Sequence, residues 1–200
     1  MDDDARKWNY NISLGRMPEW WRYFGEYAWL VNLVFKKAEQ SEVTVIARPQ
    51  LFLIRHTLEL GYKMNIIELE KISELPSNLQ LSGRRAHNLE DLHQDLDRHF
   101  RKIAEKYDLP VEVMSQYSDY SSKLASLKSL FHRFDQWSYA FRYPVGTDGE
   151  SPSLSPQSFL NMAEVREMYI TAEMFLKYTT DVIAEHLPAD LNFETTDNGT

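Results

Sequence analysis

Cysteine is absent from the 200 residues, which excludes disulfides and thiolate metal sites. No run long and apolar enough to cross a bilayer occurs, so no spanning helix is expected. The N-terminal Met1-Asp2-Asp3-Asp4 is acidic and lacks the apolar segment of a secretory signal. Without signal or disulfides the expected compartment is the cytoplasm, where the sequons at Asn11 and Asn198 carry no meaning. There is no Gly-rich phosphate loop, no nucleophile elbow and no paired-His zinc signature, so neither a cofactor nor a metal is called for. Positive charge is also in short supply. Lys and Arg number 22 against 30 Asp and Glu, a net charge of −8 with a pI near 5.3. This excludes non-specific duplex binding through an extensive basic surface, but leaves room for a local basic pocket.

What is present is apolar residues at helical spacing. They make up 43% of the chain, with 13% aromatic, enough for one domain with a real core. The segment from Pro49 to Leu69 organises the rest. On a wheel of about 100° per residue, Leu51, Ile54, Leu58, Tyr62 and Leu69 form one apolar stripe. Leu53, Leu60, Met64 and Ile67 form a second, almost opposite. Apolar stripes on two sides predict a central helix buried on two sides. Between them, Thr57 and Gly61 are small enough for close approach of another backbone. The other intervening arc holds Arg55, His56, Glu59 and Lys63.

The remaining periodicities predict further helices over about 18–39, 88–108, 120–143 and 156–186. Pro18 suits the first helical position, and Trp20, Tyr23, Phe24, Tyr27, Leu30, Val31 and Val34 give the first helix a packed aromatic face. The β-like run Val43, Val45, Ile46 reads better as the lead into the central helix. A linker at 73–87 ends in the basic cluster Arg84, Arg85, His87, and Asn88 is a candidate N-cap. A loop of about ten residues follows Pro110, and Ser155 with Pro156 reads as cap and first residue of the last helix. Residues 1–17 form an arm, 18–187 the helical domain and 188–200 a tail expected to be disordered. The fold class is therefore all-α, an antiparallel bundle of about five long helices.

Two readings of the charged arc stand open. Arg55–Glu59 and Glu59–Lys63 are i,i+4 pairs and can be a salt ladder. Alternatively Arg55 and Lys63 bind an anion, Glu59 orients them and His56 transfers a proton near neutral pH. The wheel over 120–143 turns Asp135 and Arg142 inward together, so both are expected to face Arg55 and Glu59. Glu90, His93 and Asp97 share one face at 88–108 and read as a solvated face rather than a metal site.

Three segments, Phe52–Lys63 (FLIRHTLELGYK), Ala86–Leu92 (AHNLEDL) and Phe141–Pro144 (FRYP), resemble bacterial HEPN-like proteins, the higher eukaryotes and prokaryotes nucleotide-binding family. The resemblance spans about residues 20–144. It implies a helical bundle, commonly a homodimer, in antiphage, toxin–antitoxin or RNA-processing systems, with a possible protein partner encoded nearby. It implies an RNA or nucleotide ligand, with Arg55, His56, Glu59, Lys63, His87, Asp135, Arg142 and Tyr143 as the binding candidates. Many members are metal-independent ribonucleases, whose signature places His four to six residues after Arg. No arginine here has a histidine at that spacing. The catalytic pair does not carry over, and His56 and Arg142 are the remaining catalytic candidates. The alternative is a non-catalytic dimerising or regulatory protein whose buried charges are structural.

Overall fold

A computed structural model describes residues 19–38, 40–79, 83–156 and 158–188. The arm at 1–17, Pro18 and the tail from 189 lie outside the described residues. Among the described residues there are five α-helices, no strand, and helix over 74% of positions, which makes the protein the expected all-α bundle. The helices are α1 (Trp20–Lys37), α2 (Gln40–Ser73), α3 (Leu89–Tyr107), α4 (Val111–Asp135) and α5 (Met162–Ala184). A short 3-10 turn, Arg84–His87, precedes α3.

Helix α2 is central, packing against α1, α3 and α5. It begins well before Pro49 and absorbs the β-like run, as the sequence reading favoured. Proline inside a helix has no N–H for the carbonyl four residues back. That residue is Val45, which is 80% exposed, so solvent can reach the freed carbonyl. The first stripe is fully buried: Ile54, Leu58, Tyr62 and Leu69 have no accessible surface. The second stripe is shallower. Leu60 is buried, whereas Leu53, Met64 and Ile67 are only half-buried. The wheel placed the two stripes correctly and overstated the burial of the second.

The small sector between the stripes is where α5 arrives. The Asn65 amide donates to the Gly61 carbonyl (2.8 Å) and to the Leu176 carbonyl of α5 (2.6 Å), and Thr180 donates to Asn65 Oδ1 (2.9 Å). This polar clasp brings the two backbones together, and Gly61 makes room for it. A Cβ at Gly61 would lie 2.8 Å from Leu176 Cδ1, 3.0 Å from Leu176 Cβ and 2.9 Å from Phe24 Cε2.

Three helix boundaries differ from expectation. Helix α4 starts at Val111 directly after Pro110, with no ten-residue loop, and stops at Asp135 instead of running to 143. The Asp135 carboxylate ends it, because Oδ1 accepts from the backbone N–H of Tyr139 and of Ala140 (2.9 Å) and turns the chain aside. Ser138 then takes a positive φ of 60°. Helix α5 starts at Met162, not 156. Asn161 caps it by accepting from Ala163 N (3.0 Å), displacing the reading of Ser155 and Pro156 as its start. Asn88 caps α3 as expected, accepting from Glu90 N (3.0 Å).

The Gly61 contact generates the first test. Gly61→Val should destabilise the chain by about 1–3 kcal/mol through overpacking against Leu176 and Phe24, read as a lower urea midpoint at unchanged slope. A stability equal to or above that of the parent chain would show that α2 and α5 are not in contact at this position.

Candidate functional site

Arg55 lies one helical turn before Glu59 and two before Lys63 on the central helix. It is fully buried. Burial lowers its pKa, an effect opposed by Asp135 and then Glu59. Three main-chain carbonyls receive its protons. Nη2 donates to the His87 carbonyl (2.5 Å) and the Gln136 carbonyl (3.2 Å), and Nε donates to the Asp135 carbonyl (3.0 Å). The ion pairs are longer: Nη1 lies 3.5 Å from Glu59 Oε2, and Nε lies 3.8 Å from Asp135 Oδ2. Nη1 and Asp135 Oδ2 make no hydrogen bond within the protein.

Glu59 is the hub of the other half. Its Oε1 accepts from Lys63 Nζ at 2.6 Å, one helical turn on. His87 Nδ1 lies 2.9 and 3.1 Å from its two oxygens. Glu59 and Lys63 are both buried, whereas the His87 side chain is 43% exposed. Burial alone would raise the Glu59 carboxyl pKa. Lys63, through its charge and its hydrogen bond, and then His87 outweigh that and hold it below the ordinary carboxylate value. The sequence thus brought together five of its candidates: Arg55, Glu59, Lys63, His87 and Asp135 form one connected network.

The other three candidates stand apart from that network. Arg142 does not share a helical face with Asp135, because α4 has ended; it follows on a turn and is exposed. Its guanidinium lies over the Phe52 ring (5.7 Å) and the Tyr143 ring (5.4 Å). Arg142 is still close enough to Arg55 for its charge to oppose that of the buried guanidinium. Tyr143 is 46% exposed and packs on Tyr139 with centroids 4.6 Å apart. His56 is half-buried, stacked on Phe52 (5.8 Å) and met edge-on by Tyr27 (4.6 Å). Burial lowers its pKa; Glu59 works against this, and Lys63, His87 and Arg55 reinforce it. A histidine held neutral between rings is poorly placed to serve as an acid. The expectation that Arg142 faces inward beside Asp135 is corrected accordingly.

Other buried polar groups went unnoticed in the sequence. Asp95 of α3 accepts from Asn78 N (2.9 Å) and from Arg98, pinning the strap that follows α2. His99 is fully buried against Ser73 (2.7 Å). Lys128 of α4 pairs with Glu90 of α3 at 2.6 Å, so that part of the face is engaged between helices and not merely solvated. His93 bonds the Tyr62 hydroxyl (3.0 Å). No group of three or more potential ligands for a metal occurs among the described residues. Comparison with protein-family models, curated proteins and solved structures finds no match to this chain.

The network generates two tests. Glu59→Gln removes the charge that compensates Lys63 and Arg55 inside the bundle. It should cost about 3–5 kcal/mol in urea unfolding, the range for breaking one side of a buried pair. A loss below about 1 kcal/mol, typical of an exposed pair, would contradict the burial described here. The second test is pH. His56 has a folded pKa below its unfolded value, so its contribution is intact above about pH 6.5 and falls as acidification protonates only the unfolded chain. Glu59, also depressed, adds a further loss below about pH 4.3, the ordinary glutamate value. Burial also lowers the pKa of His93 and His99, so unfolding free energy should decline from pH 7 to 5, and His56→Phe should make that first decline shallower. An unchanged slope in the variant would remove His56 from the account.

Proposed function

We propose that this chain is a HEPN-like helical protein that acts by association with a protein partner rather than by catalysis, its buried charges being structural. The observation that carries this reading is the placement of Arg55. Its Nε and Nη2 donate to carbonyls of the 3-10 turn and of the C-terminal end of α4, a use that fastens those segments to the central helix. Lys63 and His87 are likewise committed to Glu59. The missing Arg–His spacing of the ribonuclease signature agrees with it. Melting of the protein should not respond to inorganic phosphate, to AMP or to a short RNA. A saturable upward shift with any of them would overturn the reading, since a ligand that binds the folded state must stabilise it.

A second reading is favoured by one observation, the exposed Arg142 guanidinium set between the faces of Phe52 and Tyr143. Arginine beside aromatic rings can hold a phosphate while a base stacks. In this reading the rim binds a nucleotide or RNA, the buried network serves as its scaffold, and the antiphage or toxin–antitoxin setting implied by the resemblance applies. Arg142→Ala then leaves the melting temperature within about a degree, as expected for an exposed residue, and abolishes RNA or nucleotide binding in a filter assay. Equal binding by parent and variant would dismiss the rim as a site.

A further inference from the structure

Helix α1 lies at the edge of the bundle, and one of its faces is out of character with a surface. Trp29 is 66% exposed and Trp21 is 45% exposed. Gly25 lies midway between them, one helical turn from each. It too is exposed, and a Cβ built on it meets nothing within 4 Å. Glycine inside a helix lowers helix stability relative to alanine, so it calls for a packing reason. Gly61 has that reason inside this chain; among the described residues Gly25 has none. An open glycine flanked by two exposed tryptophans fits the close approach of a second backbone.

The spacing identifies that backbone. Trp21, Gly25 and Trp29 read the same in either direction about Gly25. When two such helices cross antiparallel at the glycine, a two-fold axis relates them and each Trp21 meets the partner's Trp29. A two-fold contact is made by one patch meeting itself, which this row can do. The charges beside the row are complementary under the same operation. Arg22 and Glu26 flank Gly25 on one side and bond each other at 3.0 Å, both exposed. The two-fold axis reverses their order along the partner. Each Arg22 then lies about 3 Å along the axis from the partner's Glu26, two residues at 1.5 Å each. Glycine at the crossing allows the interaxial approach that row-into-groove packing needs, and the tryptophans close over it from both sides.

We infer that the Trp21–Gly25–Trp29 row of α1 is the pairing face of a homodimer, crossed antiparallel at Gly25. The inference rests on the association reading and names its partner as a second copy of this chain. Tryptophans at such a centre dominate affinity.

The absence of cysteine makes the test clean. Gly25→Cys places one thiol per chain at the two-fold axis, so mild oxidation should link the full chain into a dimer at low micromolar concentration. Ser126→Cys, on the exposed side of α4, should stay unlinked. Sedimentation of the parent chain should show a monomer–dimer equilibrium, and Trp29→Ala should weaken it by about thirtyfold or more. Gly25→Leu should weaken it as well, yet leave urea unfolding at monomer concentrations unchanged or improved, which separates a blocked interface from a failed fold. A strict monomer at tens of micromolar overturns the inference. So does a dimer that Gly25→Cys fails to link. Either failure leaves the structural reading of the buried charges intact, since that is decided by the ligand-induced melting measurements.

Discussion

The constraint on which this structure turns is the fully buried Arg55 guanidinium. An ion taken from water into a helical core loses several kcal/mol of hydration that must be recovered locally. A helix cannot supply that recovery from its own backbone, since its carbonyls are already engaged. The carbonyls must come from segments that are not helical. The 3-10 turn supplies one through His87, and the α4 terminus supplies two through Asp135 and Gln136. Two irregular segments far apart in the chain are thereby held on the central helix. Helix α4 has to end where it does, because a continuing helix would withhold the same carbonyls.

Asp135 joins this economy of partners from the other side. Its carbonyl takes a proton from Arg55 while its carboxylate receives the N–H groups of the next turn. One residue thus stops a helix, shapes the turn after it and contributes negative charge near a buried cation. Glu59 does comparable work one turn along α2, where Lys63 and His87 converge on it. Both acids lie within 4 Å of the Arg55 guanidinium, Glu59 Oε2 at 3.5 Å from Nη1 and Asp135 Oδ2 at 3.8 Å from Nε, and the network reads as a seam between α2 and its loops. Such seams are a means of specifying which loop sits where, since any other placement strands a charge in the core.

The helical class and the central helix were legible because long-range periodicity survives small errors of boundary. Ile54, Leu58 and Tyr62 keep their phase wherever α2 begins. The Asp135–Arg142 pairing failed for the converse reason. A wheel assumes an unbroken helix, and the side chain that breaks it was itself one of the residues placed on the wheel. The i,i+4 contacts within α2 were readable, being local. Arg55's acceptors were not, because main-chain carbonyls carry no signature in the residue letters. Asp95 and His99 hid within an otherwise apolar stripe, where their partners Asn78 and Ser73 come from another part of the chain.

The distribution of residue types in this bundle is inverted in two places, and the inversions are related. Charges that ordinarily sit in water line the seam of α2, while tryptophans that ordinarily fill a core stand out on α1. The seam fixes the loops around one side of α2, and α1 covers another through Phe24, Ala28 and Val31, which are buried. Those three residues use up one face of α1, and Trp21 and Trp29 stand to the side of it, exposed. Both tryptophans are large apolar surface that the other described residues leave uncovered. Gly61 and Gly25 make the same point in miniature: one is filled by Leu176 and Phe24, the other faces open space. The same local device, a small residue between large apolar ones, closes a contact inside the molecule at α2 and leaves one unfilled at α1.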